Sequence, residues 1–380
     1  MEWLKSGKAV QSVKDKTPEG IVTIAVLGNR GIPPRYGGFD SVAWCLARYL
    51  PNHGIRLYVF SESTYRKRKP SGLSSVRIVY LPVLEKFRIV SEVFYDAVGL
   101  IWAGLRRDVQ VVYLLGYSAS PFCIIPRLLG KKVAINVDGL EWKRRKFGKS
   151  VRLALRVLER ISHYSSDYLV FDNKEIQRFH ESRYGTHPSF YMPHCIEEFD
   201  VSHQARNYYL VVARFEPENN IDVIIDGFQK SGSDNELWLV GSSNSHEYNR
   251  KLISMTTSPR VKFLGPIYGE KIGEIRRDCL AYIHGHEVGG TNPSLLEALS
   301  HGNAVLAINV PFNREVADKA GLYFDDAETL AKSVSLFESA PEMRVRMRQA
   351  ALSNAKRFDQ SSLIPQFAKA FRSMARSRKT

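Results

Sequence analysis

The sequence predicts an α/β protein of two similar domains, each a parallel sheet layered between helices, facing each other across a cleft. Three observations carry this. The chain has 380 residues, more than one ordinary core accommodates, and that length favours about two domains. Short β-rich runs alternate with longer helical patterns, which is the signature of βαβ units and a parallel sheet. The alternation also runs twice, with a stretch of little periodicity around Pro193-His194-Cys195-Ile196-Glu197-Glu198-Phe199-Asp200 between the two series.

In the first series, residues 21–27 form a nearly continuous apolar run that ends at Gly28, as a buried parallel strand does. Apolar residues at helical spacing follow over 41–50. Strands are expected over 57–60, 76–81, 109–115, 132–137 and 168–171, the last preceded by a helical stretch over 151–162. The second series begins near residue 207. It predicts strands over 208–213, 236–240, 261–264, 281–284 and 304–308, and a helix over 221–230. The tail from about Pro341 is helical and basic. The expected organisation is a mobile tail over 1–20, one domain over 21–195, a second over 205–355, and a basic helix over 356–380 that packs back on the first domain. Ligands in such sheets bind at the carboxyl ends of the strands, and pockets favour domain interfaces.

Hydrophobic content of 44% and charged content of 24% are ordinary globular values and exclude a largely disordered chain. The four cysteines (Cys45, Cys123, Cys195, Cys279) lie too far apart for a zinc or redox motif and read as reduced thiols of a cytosolic protein. Residues 1–20 hold no apolar run of signal-peptide length, and the apolar stretch from Val98 to Leu105 is too short to span a bilayer. Net charge is +15, and residues 1–200 hold 31 Lys and Arg against 19 Asp and Glu, which places +12 of it in that half. The densest runs are Arg66-Lys67-Arg68-Lys69 and Lys143-Arg144-Arg145-Lys146. They suit a solvated face or an anionic membrane surface. They lack the interleaved aromatic platforms of a nucleic-acid module, so no nucleic acid is expected.

Two loops carry the chemistry. After the first strand comes Gly28-Asn29-Arg30-Gly31-Ile32-Pro33-Pro34-Arg35-Tyr36-Gly37-Gly38-Phe39-Asp40. Its glycines let backbone approach a ligand, and Gly37-Gly38 ahead of a helix can present N–H groups to an anion. Arg30, Gly31, Arg35 and Tyr36 make it a candidate binding loop, although its spacing is not the dinucleotide fingerprint. In the second half, strand 281–284 runs into His284-Gly285-His286-Glu287-Val288-Gly289-Gly290-Thr291-Asn292-Pro293. Asn292 reads as N-cap and Pro293 as the first helical residue, so this helix start is an anion site. Arg214 at another strand end suits a diphosphate, because its planar fork matches phosphate oxygens. His284 and His286 lack a third ligand at metal spacing, and no metal or cofactor is expected.

The strings GNRGIPPRYGGFD and Asn136-Val137-Asp138-Gly139-Leu140-Glu141-Trp142-Lys143-Arg144 resemble a group within the retaining family 4 glycosyltransferases that includes bacterial rhamnosyltransferases. The resemblance implies the GT-B fold: two Rossmann-like αβα domains, the first for acceptor and the second for donor. It implies that Asp138 leads the catalytic candidates and that Glu141 is next; a helix N-cap or turn acid is the alternative for either. Arg214 matches the family arginine that clamps the nucleotide diphosphate, but the family's lysine position is Asn219 here. Glu297 matches the second Glu of the Glu-x7-Glu motif, which binds ribose. The first Glu falls on Gly289, so backbone amides of Gly289, Gly290 and Thr291, beside Asn292, are expected to hold the donor sugar.

By that resemblance the donor is a nucleotide sugar, with dTDP-L-rhamnose favoured. The acceptor is a saccharide, plausibly lipid-diphosphate-linked, at the inner face of the cell membrane in surface polysaccharide synthesis. Two alternatives stay open: a nucleotide-sugar epimerase of the same fold, and a non-catalytic nucleotide-sugar-binding module. The substitutions at Asn219 and Gly289 support the second.

Overall fold

The computed structural model describes residues 20–34, 37–67, 70, 72–73, 75–82, 88–197, 206–243 and 245–377. The expected tail over 1–20, apart from Gly20, lies outside them, as do Arg35, Tyr36, Arg68, Lys69 and the segment 198–205.

The first sheet has seven strands: β1 (Val22–Leu27), β2 (Ile55–Glu62), β3 (Val76–Leu81), β4 (Val111–Leu115), β5 (Lys132–Asn136), β6 (Tyr168–Phe171) and β7 (Ser189–Tyr191). All pair in parallel, in the order β3-β2-β1-β4-β5-β6-β7. Its helices are α1 (Gly38–Tyr49), α2 (Arg88–Leu105), α3 (Ile124–Leu128), α4 (Lys149–Ser165) and α5 (Lys174–Tyr184). The second sheet holds β8 (Tyr208–Val212), β9 (Glu236–Val240), β10 (Val261–Gly265), β11 (Ala281–His284), β12 (Val305–Ile308) and β13 (Gly321–Phe324). It is parallel in the order β10-β9-β8-β11-β12-β13. Around it lie α6 (Ile221–Ser231), α7 (His246–Met255), α8 (Glu270–Asp278), α9 (Pro293–Ser300), α10 (Pro311–Ala317), α11 (Ala327–Ser339) and α12 (Pro341–Ala355); α13 (Gln360–Arg376) ends the described chain.

Both sheets reverse direction at the same place, between their first and fourth strands. That switch point opens a crevice at the carboxyl ends of β1 and β4 in one domain and of β8 and β11 in the other. The central strands β1, β4 and β11 are buried along their whole length, which is why they appear in the sequence as continuous apolar runs. The edge strands β7 and β13 were not expected. They have three and four residues and are mostly half-buried, so they carry no such run. The apolar stretch 98–105 is the end of the longer α2. Among the described residues, no helix is long and apolar enough to cross a membrane.

The chain crosses between domains twice, and the two crossings pair. The amide of Ile196 donates to the Phe358 carbonyl (2.7 Å), and that of Gln360 donates to the Ile196 carbonyl (3.1 Å). Beyond this point α13 lies on the first sheet, burying Leu363, Ile364, Phe367, Phe371 and Met374. Phe371 meets the Tyr113 ring edge-on at 5.5 Å, and Arg372 donates to the His53 carbonyl. The second domain is thereby held by its last helix as well as by the linker. Phe371 is fully buried, so Phe371→Ala is expected to cost about 3–5 kcal/mol of stability, read as a lower denaturation midpoint in urea.

Candidate active site in the interdomain cleft

The first-domain wall starts at the β1–α1 loop. Gly28 has φ +86°, and a Cβ there would collide with the Leu115 carbonyl, so the turn against β4 requires glycine. Arg30 does not enter the cleft: its side chain meets Glu62 at 3.3 Å and its amide donates to Asp40 (2.8 Å). Gly31 packs on the Tyr65 ring. Gly37 caps α1, and a Cβ at Gly38 would lie 3.5 Å from the His194 ring. Arg30 and Gly31 therefore shape the loop, while Gly38 faces His194 and Pro293.

Asp138 follows β5 with φ +49°, a left-handed conformation costing a non-glycine residue roughly 1–2 kcal/mol. Its amide donates to the Asn136 side chain (2.8 Å), which in turn donates to the Tyr113 hydroxyl (3.2 Å). The next residue, Gly139, lies backbone to backbone on Gly289 of the other domain, with no room for a Cβ. Glu141 is bound by Arg144, whose Nε is 2.7 Å from both carboxylate oxygens. Arg144 continues to within 3.7 Å of the fully buried Glu218 across the cleft. Arg145 adds a second crossing, 2.5 Å from Glu287.

The tightest crossing is made by Asp172, at the end of β6. Its carboxylate accepts from the Thr291 amide (3.0 Å), and its carbonyl accepts from the Thr291 hydroxyl (2.6 Å). Gly290 is glycine because any Cβ would strike this carboxylate. The expectation that the Thr291 amide holds a donor sugar is corrected here: Asp172 already occupies it. His194 lies 3.9 Å from the same carboxylate. Asp172 and His194 were not singled out in the sequence. Asp172 reads there as the acid before the N-cap Asn173, and His194 falls in the interdomain segment. The one available signal for Asp172 was its place at a strand's carboxyl end, shared with Asp138.

Burial sets the electrostatics. It raises the Asp138 carboxyl to about 6, helped by the nearby Glu141 charge and opposed by Arg144. Burial and then the Asp138 charge push Asp172 well above the usual carboxylate range. His194 is pushed down to about 4 by burial, and so is a neutral imidazole near pH 7.

On the second-domain wall, Arg214 follows β8, exposed and without an ion-pair partner among the described residues. Its carbonyl accepts from Asn219 Nδ2 (2.6 Å), so the residue in place of the expected lysine folds back on the loop. His284 and His286 stack at 4.5 Å, both lowered by burial and so uncharged. Among the described residues no group of His, Cys, Asp or Glu is arranged to hold a metal ion. Asn292 caps α9 by accepting from the Ser294 amide (3.0 Å), with Pro293 next in line. Glu297 points from α9 toward a cavity of about 740 Å³ between the domains, lined also by Trp44, His194, Gly269, Arg276 and Pro293, and pairs with Arg276.

Residues 196–353 match the family model described as glycosyl transferases group 1. That match spans the second domain. Residues 21–197 match a model described as a domain of unknown function, DUF1972. No curated protein matches the chain. Among solved structures, sucrose-phosphate synthase from Thermosynechococcus elongatus is similar with a TM-score of 0.78 at 14% identity, covering 93% of this chain and 99% of that one. Anabaena HepE in complex with UDP has a TM-score of 0.72 at 13% identity, covering 93% and 100%. A UDP-forming trehalose-phosphate synthase from Burkholderia vietnamiensis has a TM-score of 0.67 at 13% identity, covering 93% and 100%. These likenesses show the GT-B fold. In this fold the second domain supplies Arg214, the α9 start and Glu297, and the first domain supplies Asp138, Glu141 and Asp172.

A carboxyl raised on folding keeps its proton in the native state over a range where the unfolded chain has lost it, so stability falls as pH rises through that range. For Asp138 the range runs from about 4 to about 6. Asp138→Asn removes this contribution and the charge acting on Asp172. The melting temperature of the variant should therefore decline less between pH 4 and pH 7 than that of the native protein. An identical decline would place the titration elsewhere.

Proposed function

We propose that the chain is a retaining glycosyltransferase that moves a sugar from a nucleoside diphosphate-sugar to a hydroxyl of a saccharide acceptor. The observation that carries this reading is a cavity large enough for a nucleotide, with Glu297 and Pro293 of the capped α9 start on its wall; Arg214, after β8, is exposed and has no ion-pair partner among the described residues. Arg214 would take the diphosphate and stabilise the charge that develops on the leaving group. Glu297 would accept the ribose hydroxyls. Asp138, on the facing strand end, would orient the acceptor or stabilise positive charge on the sugar; Glu141, clamped by Arg144, supports the loop. The first domain is the acceptor side. HepE is known in complexes with UDP-glucose and with UDP and glucose, which fits a donor of this class. The motif resemblance favours L-rhamnose from dTDP-L-rhamnose, a lipid-diphosphate-linked acceptor, and peripheral attachment at the inner membrane face.

A second reading, a non-catalytic nucleotide-sugar-binding module, is favoured by one observation. Gly289 stands where the donor-sugar carboxylate is expected, and Glu287 nearby is engaged by Arg145 and Asn220.

The test is thermal shift with UDP, GDP, dTDP and their sugars. Ligand at 100 times its dissociation constant stabilises by about 2.7 kcal/mol. One nucleoside diphosphate family should stabilise the protein, and Arg214→Ala should weaken it roughly 10- to 100-fold, the worth of a charged hydrogen bond. Asp138→Asn should cut turnover strongly while sparing nucleotide affinity. Binding without turnover would select the second reading, and no stabilisation by any nucleotide would reject both.

A further inference from the structure

Helices α2, α3 and α4 of the first domain expose large apolar side chains on one continuous surface. Leu105 is 68% exposed, Leu128 76%, Leu129 47%, Leu153 63%, Val157 51% and Tyr164 67%. Contacts between the helices make these a single patch. A Cβ at Gly104 would lie 2.8 Å from Leu129, Ser120 donates to the Leu158 carbonyl (2.9 Å), and Arg127 donates to the Tyr164 carbonyl (2.7 Å). Along α4, Leu153, Val157 and Tyr164 recur at spacings of four and seven and so share one side of the helix. Single exposed leucines are ordinary, but a continuous apolar surface rimmed by charge marks an interaction site.

The rim is cationic. Helix α4 carries Lys149, Arg152, Arg156 and Arg160, and its one acid, Glu159, is buried beneath it, accepting from Trp142 Nε1 (2.8 Å) and the Tyr184 hydroxyl (2.7 Å). Arg152 is half-buried and donates to the Trp142 carbonyl (2.7 Å), while Lys149, Arg156 and Arg160 are exposed. Beside the apolar stripe lies a recess of about 420 Å³ lined by Arg156, Arg160, Arg183, Tyr164 and Tyr184. All three arginines are exposed, and none forms an ion pair among the described residues. The Arg156 and Arg183 guanidiniums are held over the Trp142 ring, 4.7 and 5.8 Å from its centre. Three forked donors around one recess fit a phosphate.

We propose that this face seats on an anionic phospholipid bilayer, with Leu105, Leu128, Leu153 and Val157 at the acyl boundary and a headgroup phosphate in the recess between Arg156, Arg160 and Arg183. Aliphatic side chains beside arginines suit a bilayer. The proposal rests on the peripheral attachment named under the proposed function and gives it a face; none of these residues lines the cleft cavity, so vesicle binding and nucleotide binding can fail separately. The face also bears on the transferase reading: α4 is joined to Asp138 by the loop 139–148, which also carries the clamps to the second domain. A seated bilayer lies one loop away from the cleft.

The test is co-sedimentation of the full chain with vesicles of phosphatidylcholine alone or mixed with phosphatidylglycerol, at low and high salt. Binding should require phosphatidylglycerol and weaken with salt. Each basic residue near an anionic surface contributes about fivefold, so the triple variant Arg156→Gln, Arg160→Gln, Arg183→Gln should bind roughly 100-fold more weakly. Because Arg156 and Arg183 stack on Trp142, a second variant, Leu105→Ser with Leu128→Ser, perturbs only exposed positions and should also lose binding. Both variants are compared at melting temperatures matching the native protein. Equal binding to neutral vesicles, no binding by the native chain, or folded variants that bind like it would overturn the proposal. So would binding to a soluble polyanion such as heparin without binding to vesicles, which would point to a soluble acidic partner.

Discussion

Asp172 and Thr291 hold the two domains in register, and much of the cleft follows from that contact. Two hydrogen bonds, one through the carboxylate and one through the carbonyl, fix the end of β6 against the loop before α9. This is possible only because the facing loop has no side chain at Gly290, just as Gly139 and Gly289 meet without side chains one step away. Where backbones approach this closely, water is excluded, and every polar group left in the contact must find a partner. The Arg144 and Arg145 bridges flank the contact: Arg145 donates to Glu287, while Arg144 offsets the charge of Glu218 from 3.7 Å and leaves its buried carboxylate oxygens without a hydrogen bond.

The same closeness sets the chemistry of the acids. Asp138 and Asp172 end neighbouring strands of one sheet, and burial makes both costly to ionise, Asp138 further beside Glu141 and Asp172 further beside Asp138. His194, buried and neutral, adds no compensating charge. On the opposite wall Arg214 is exposed and unpartnered among the described residues. The cleft thus pairs reluctant acids on one side with a free cation on the other, a distribution that suits an anionic ligand entering from the second domain.

The legible parts of the fold were those with a local cause. Strand β1 appears as an apolar run because it is buried on both faces; β7 does not, because it is a half-buried edge. The cap at Asn292 is readable because the whole device spans three residues. The placement of candidate residues was legible only where strand ends mark it, as at Asp138, Arg214 and the loop before α9. Arg30 looked like a ligand-binding residue in its glycine-rich loop, yet its partner Glu62 lies 32 positions further on. Asn219 was readable as a lost lysine, but not as a side chain folded onto the Arg214 carbonyl.

By itself, the sequence determined two parallel α/β halves, the loops at their switch points and the helix start that closes the second of them. These rest on hydrophobic period, glycine placement and capping, all of which act within a few residues. Only the tertiary structure decided that Asp172 would meet Thr291, 119 positions away, that Arg144 would bridge the domains, and that Asp138 would resist ionisation. Those outcomes depend on how closely two independently formed sheets approach, and on the water expelled between them, and neither quantity is encoded in any local stretch of chain.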